Sequence, residues 1–192
     1  MIVIVDYGMG NHGSIRNMLR RIGAPSRISS DPAEIRSAEK LILPGVGAFD
    51  KAMRRIKDSG LRDILDDRAR TCHVPILGIC LGMQLMTLSS EEGNMEGLGW
   101  IEARTLRFPA GRGLRIPHMG WNLVTPSRPS PLTTGLSVNS RYYFVHSYYV
   151  EVAKEADSLL RTRYGVCFDS AIGRDNLFGV QFHPEKSHRF GM

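Results

Sequence analysis

With 192 residues, 42% of them hydrophobic and 23% charged, the chain has the size and composition of one globular domain, which excludes disorder, collagen-like repeats and coiled coil. No apolar run reaches the roughly 20 residues of a membrane span, and Met1 leads into a β-branched run without the basic flank of a secretory signal, so the chain reads as cytoplasmic. The net charge of +6 arises from 25 basic residues interleaved with 19 acids, which argues against nucleic-acid binding; Cys72, Cys80 and Cys167 lack the spacing of a zinc site or a disulfide framework.

In chain order, Ile2 to Asp6 reads as a strand, Ser14 to Ile22 as a helix, Leu41 to Leu43 as a strand, Asp50 to Arg70 as a helix interrupted at Gly60, and Val74 to Ile79 as a strand. That alternation predicts a parallel sheet covered by helices. A third helix opens near Leu81, with Glu91-Glu92-Gly93 as its end or an adjoining loop. From Ile101 the pattern changes. Ile101 to Phe108, Ile116 to Thr125, Arg141 to Val152, Ser158 to Tyr164 and Phe168 to Ile172 alternate as antiparallel strands do, and Pro126 to Pro131 reads as a surface loop. The expected fold is α/β, with a mixed, largely parallel central sheet flanked by helices and antiparallel strands in the second half.

The sharpest local feature is Gly78-Ile79-Cys80-Leu81-Gly82, an apolar strand running into Gly-x-Cys-x-Gly. Glycines on both sides of a nucleophile let the chain turn sharply from strand to helix and hold the side chain out at the strand's end. Cys80 then sits at a helix N-terminus, where the dipole favours the reactive thiolate. A lone cysteine after an apolar strand is more often inert packing; the flanking glycines reverse that reading, whereas Cys72 and Cys167 keep it.

A nucleophilic cysteine needs a base, and the chain offers His12, His73, His118, His146, His183 and His188. His183 stands out because an apolar strand ends in His183-Pro184-Glu185. In extended chain His183 and Glu185 point to one side, so the carboxylate can orient the imidazole. The order Cys, His, Glu is not that of the α/β-hydrolases. Pro44-Gly45-Val46-Gly47-Ala48-Phe49, a turn after a neighbouring parallel strand, can aim backbone N–H groups at a ligand. A rival reading is dinucleotide binding through Gly8-x-Gly10-x-x-Gly13 with Asp31 for a ribose hydroxyl, but it explains neither the cysteine elbow nor His-Pro-Glu.

Together the elbow and Phe182-His183-Pro184-Glu185 resemble those of the triad, or class I, glutamine amidotransferases. The likeness extends to Asp6 to Asn11, Pro44 to Phe49, Pro117 to Asn122, Tyr143 to Tyr148 and His183 to Ser187, nearly the whole chain, and is similar to the glutaminase subunits of imidazole glycerol phosphate synthases. The resemblance implies Cys80 as nucleophile, His183 as acid/base and Glu185 as its orienter. It implies Gly47 and the Leu81 amide for the oxyanion hole, and Gln84, Glu92, Ser147 and Tyr148 for substrate glutamine. Asn11, His118, Met119, Trp121, Asn122 and Lys186 are implied at the face toward a partner, a (β/α) barrel cyclase subunit in a heterodimer that receives ammonia. No metal or organic cofactor is implied, and residues 1–192 are expected to form one glutamine amidotransferase domain. Relatives continue beyond His-Pro-Glu-Lys-Ser with a closing helix that is expected to be absent here. Glutaminases of paralogous synthases that amidate surface sugars resemble the chain as well, including His188 to Met192.

Overall fold

The computed structural model describes residues 1–111 and 113–192. The strands are β1 (Ile2–Val5), β2 (Ser26–Ser29), β3 (Lys40–Leu43), β4 (Ile76–Ile79), β5 (Ser89–Ser90), β6 (Ala103–Arg107), β7 (His118–Leu123), β8 (Thr125–Pro126), β9 (Arg141–His146), β10 (Tyr148–Val152), β11 (Ser158–Tyr164), β12 (Val166–Arg174) and β13 (Leu177–Val180). The helices are α1 (His12–Arg21), α2 (Pro32–Arg36), α3 (Phe49–Asp58), α4 (Leu61–Asp66) and α5 (Leu81–Leu85), with a π-helical turn at Asp67–Thr71. None of the described helices is long and apolar enough to cross a membrane.

The main sheet runs β2-β1-β3-β4-β13-β12-β10-β6-β5. Pairing is parallel from β2 through β13, so the carboxyl ends of β1, β3, β4 and β13 meet at one edge. It turns antiparallel at β12, β10 and β6. The expected mixed, largely parallel sheet is present. Its central strands are apolar on both faces because helices and loops cover both: Val3, Val5, Leu41 and Leu43 pack with Phe49, Met53, Ile56, Leu61 and Leu65 of α3 and α4, and Ile4, Ile42 and Ile79 with Ile15 and Leu19 of α1.

Gly60 breaks the long amphipathic segment as expected. Its φ of 69° lies in the left-handed region, ending α3 and starting α4. The helix after Cys80 ends at Leu85, because the Leu88 N–H pairs with the Ala103 carbonyl at 2.9 Å and draws the chain into β5, and of the two readings of Glu91-Glu92-Gly93 the loop is the one present. One expectation needs correction. The run Arg141 to Val152 is two strands in two sheets: β9 pairs with β7, while β10 pairs with β6 and β12, and the chain crosses between them at Ser147. At the start of the expected proline-rich loop, Pro126 joins Thr125 in a short pairing with β11.

A pair of buried histidines gives the fold a pH signature. His118 and His146 lie among Phe108, Phe144, Tyr164 and Phe168. Burial lowers His118 to about 4 and His146, despite a hydrogen bond to the Tyr148 carbonyl, to about 3. The unfolded chain binds these protons near pH 6.5 and the native state only near 3 to 4, so stability is lost as pH falls through that window. Denaturant midpoints should drop between pH 6.5 and 4, and the H118F variant should show a shallower drop; the same slope in both would contradict this assignment.

Candidate active site

The turn from β4 into α5 places Cys80. Its φ of 54° and ψ of −110° lie off the regular regions, the strain expected where a side chain is held out at a sharp turn. The turn is possible only because its glycines let backbones touch. A Cβ on Gly82 would lie 1.8 Å from the Leu43 carbonyl oxygen, and one on Gly78 would lie 2.7 Å from the Gly82 carbonyl. Gly45 is fixed in the same way, its missing Cβ 2.8 Å from both Leu81 Cβ and Tyr7 Oη. The end of β3, the Pro44 to Phe49 turn and the cysteine elbow are therefore one packed unit. Tyr7 bolts it to β1 by donating to the Pro44 carbonyl at 2.6 Å; burial and the neighbouring Cys80 charge push the phenol up, so it remains a donor.

His183 follows β13, the strand beside β4, and its N–H donates to the Tyr143 carbonyl at 2.9 Å. The imidazole Nδ1 lies 2.8 Å from Glu185 Oε1, with both side chains almost wholly buried. Burial alone would lower the His183 pKa; hydrogen bonds to Cys80 and Glu185, and the charges of both, outweigh it and push it up to about 9. The ring is thus protonated at neutral pH. A native pKa above the ordinary 6.5 means that this pairing contributes stability below pH 6.5 and loses it as pH rises to about 9. Urea midpoints should fall across that interval, and E185Q, which removes the carboxylate charge, should flatten the fall. Equal pH slopes in parent and variant would contradict the coupling.

One cavity of about 480 Å³ gathers most of the residues singled out above: Gly47, Cys80, Leu81, Gln84, Glu92, Ser147, Tyr148, His183 and Lys186 all line it. Glu185 stands behind His183. Gly47, with φ of 106°, adopts a conformation that favours glycine. Glu92 Oε2 accepts the Phe49 N–H at 2.8 Å, satisfying a donor of the first turn of α3 and tying its own loop to the Gly45-Val46-Gly47 turn. Asp50 completes this clamp from the other side, accepting the Asn94 and Met95 N–H groups at 3.1 and 3.0 Å.

Of the six histidines only His183 and His146 line this cavity, and both ring nitrogens of His146 are engaged, Nδ1 with the Tyr148 carbonyl and Nε2 with His118. His12 lies beside Asp6, His73 beside Asn176, and His188 against Trp121. Met119 and Trp121 are exposed on the outer face of β7, and Asn11 and Lys186 are exposed as well. His118 departs from its expected place at a partner-facing surface: strand alternation turns it inward, and it is buried. Val46, Pro117, Val145 and His146 also line the cavity and were not singled out for it; they sit in the segments Pro44 to Phe49, Pro117 to Asn122 and Tyr143 to Tyr148. Asp31, which the rival reading assigns to a ribose hydroxyl, instead has a structural partner: its Oδ1 caps α2 by accepting the Ala33 N–H at 2.8 Å.

A model of the glutamine amidotransferase class-I family matches residues 3–191. The imidazole glycerol phosphate synthase subunit HisH 2 of Methanococcus maripaludis is 54% identical over 192 residues, covering 100% of this chain and 95% of its own. The subunit of the same name from Pseudomonas aeruginosa is 50% identical over the same shares. The subunit HisH of Bdellovibrio bacteriovorus is 47% identical over 195 residues, covering 100% of this chain and 96% of its own. Among solved structures, a glutamine amidotransferase superposes with a TM-score of 0.78 at 18% identity, covering 100% of this chain and 94% of that one. A second, from Thermotoga maritima, superposes with a TM-score of 0.67 at 14% identity, covering 98% and 77%.

Proposed function

This chain belongs to the class I glutamine amidotransferase family, and from that premise we propose that it is the glutaminase subunit of an imidazole glycerol phosphate synthase. The observation that carries the reading is the single cavity in which the strained Cys80 meets the buried His183–Glu185 pair. The Cys80 thiolate attacks the side-chain carbonyl carbon of glutamine, forming an S–C bond, and the carbonyl oxygen becomes an oxyanion held by the Gly47 and Leu81 N–H groups. His183, protonated at neutral pH, gives its proton to the nitrogen as the C–N bond breaks and ammonia leaves. It then takes a proton from water, whose oxygen attacks the thioester carbon; the S–C bond breaks, glutamate departs and the thiolate returns. Glu185 keeps the Nδ1 proton in place, so that the other ring nitrogen serves the reaction. Gln84, Glu92, Ser147 and Tyr148 hold the substrate.

The ammonia passes to a (β/α) barrel cyclase subunit in a heterodimer, where it is used to make imidazole glycerol phosphate and an aminoimidazole carboxamide ribotide in histidine biosynthesis. Residues 1–192 act as one cytoplasmic domain, and exposed Met119 and Trp121, with Asn11, Asn122 and Lys186, face the partner. The test is glutamate release by the purified chain, alone and with the cyclase. Turnover should be slow alone and rise with the partner, because the Gly45-Val46-Gly47 turn needs its peptide groups set for the oxyanion. Equal turnover would mean a permanently assembled site.

A second reading rests on the resemblance of the chain, including His188-Arg189-Phe190-Gly191-Met192, to the glutaminases of paralogous synthases. It is a glutaminase whose ammonia serves a paralogous synthase that amidates surface sugars. The glutaminase chemistry is common to both. Identification of the protein that co-purifies with the chain decides between them.

A further inference from the structure

Along one wall of the cavity runs a line of hydrogen bonds of whose members the proposed chemistry uses only Gln84 and Tyr148. From its outer end, the Leu123 N–H donates to Asn122 Oδ1 at 2.8 Å, which fixes the orientation of that amide. Asn122 Nδ2 therefore donates, to the Arg163 carbonyl at 3.1 Å and to His118 Nε2 at 3.2 Å. His118 Nδ1 stands 2.9 Å from His146 Nε2, and His146 Nδ1 stands 2.7 Å from the Tyr148 carbonyl. On the other side, Gln84 Nε2 donates to that same carbonyl at 3.1 Å and to Gln181 Oε1 at 3.0 Å. Gln181 Nε2 ends the line, 3.7 Å from Cys80 Sγ.

The polarity of this line is determined from both ends. A carbonyl only accepts, so His146 Nδ1 carries a proton and, in a neutral ring, Nε2 is bare; His118 Nδ1 must then be the donor, leaving its Nε2 bare to accept from Asn122. Starting from Asn122 gives the same assignment. Both rings stay neutral at neutral pH, since burial holds them far below the ordinary histidine value. Two donors, from Gln84 and His146, occupy the Tyr148 carbonyl, which fixes the Gln84 amide. Gln84 in turn spends its other N–H on Gln181 Oε1, so Gln181 cannot flip, and what it turns toward sulfur is N–H. Gln181 is fully buried and Gln84 nearly so, where an unpaired amide would be costly.

We propose that Gln181 and His146 are positioning residues for the reaction: His146 and Gln84 converge as donors on the Tyr148 carbonyl, and Gln84, so held, orients Gln181 to present a donor, never an oxygen, to the Cys80 sulfur. An N–H facing sulfur stabilises negative charge there, whereas a flipped amide would set oxygen against a thiolate. The proposal rests on Cys80 as the nucleophile. Alkylation of the thiol reads the sulfur without turnover, so its failure is distinguishable from a failure of that assignment, which C80S activity tests separately.

Two experiments decide it. In the unmutated protein at pH 7, nitrogen NMR of labelled histidine should find both His118 and His146 neutral with the proton on Nδ1; a proton on Nε2 of either ring, or a charged ring, overturns the line. Iodoacetamide alkylation, followed by peptide mass for each cysteine as a function of pH, should show in Q181E a Cys80 midpoint moved up by about one unit or more, with the rate below the parental midpoint slower by about tenfold or more. The neutral Q181L should shift it in the same direction by less, and serves as the deciding variant if a buried glutamate prevents folding. H146F should shift the midpoint upward, and H146N, whose amide nitrogen stands where Nδ1 stood, should restore most of it. Cys72 and Cys167 are exposed and should alkylate unchanged throughout. An unchanged Cys80 profile in folded Q181L and H146F overturns the proposal.

Discussion

Replacing Cys80 by serine should lower glutamine-dependent synthesis by the complex by about 10³-fold or more, while synthesis from added ammonium salts continues at close to the parental rate. The split follows from where the thiolate acts. It is needed to break the carboxamide C–N bond and not to use the ammonia once released. A serine hydroxyl in the same strained turn keeps the shape of the elbow but lacks the ready ionisation of a thiol, and at neutral pH it offers the reaction no anionic nucleophile. Both activities should be assayed on one preparation with matched circular dichroism. Equal loss of both would mean that the substitution damages the complex, and survival of the glutamine-dependent rate would remove Cys80 from the chemistry.

Gly82→Ala should be at least as damaging, by an unrelated route. Its added Cβ would overlap the Leu43 carbonyl oxygen at 1.8 Å and approach the Leu43 carbonyl carbon at 2.9 Å, and these are backbone atoms of a central strand that cannot swing aside. Relief requires α5 to move off β3, which separates the Gly45 contact and opens the apolar packing of Leu81 and Met83. The expected cost is about 3 kcal/mol or more, a large part of the net stability of one domain, so loss of soluble protein is the predicted phenotype. Gly13→Ala is the control. It lies in α1 with nothing within 4 Å of its missing Cβ, and should raise stability by up to about 1 kcal/mol. Similar denaturation midpoints for the two variants would show that the elbow tolerates a side chain.

The sequence carries the apolar strands and the elbow because these are local statements. Ile2 to Val5, Leu41 to Leu43 and Ile76 to Ile79 are short apolar runs that only a doubly covered sheet buries, and Gly60 punctuates a long amphipathic helix. His183 and Glu185 are two residues apart, so their pairing was readable from spacing. What was not readable depends on distant partners. Ser26–Ser29 is a polar strand at one end of the main sheet, and Pro32–Arg36 is a single turn capped by Asp31; neither has the length to show a period. Leu85, Met86 and Leu88 continue a helical pattern, yet pairing with Ala103 ends the helix. The bond between Gln84 and Gln181 joins residues 97 apart, and no local signal marks either as a member of a line.

In the proposed reaction Cys80, set by its elbow against His183, attacks the side-chain carbonyl of glutamine. The most direct measurement is peptide mass after incubation with a glutamine analogue bearing an electrophilic ketone in place of the carboxamide. Cys72 and Cys167 are exposed and Cys80 is buried, so simple accessibility favours the wrong cysteines. One equivalent of label is expected on the peptide carrying Cys80, prevented by glutamine and abolished in H183A. Label on Cys72 or Cys167 instead, or label on Cys80 that glutamine does not prevent, would contradict it.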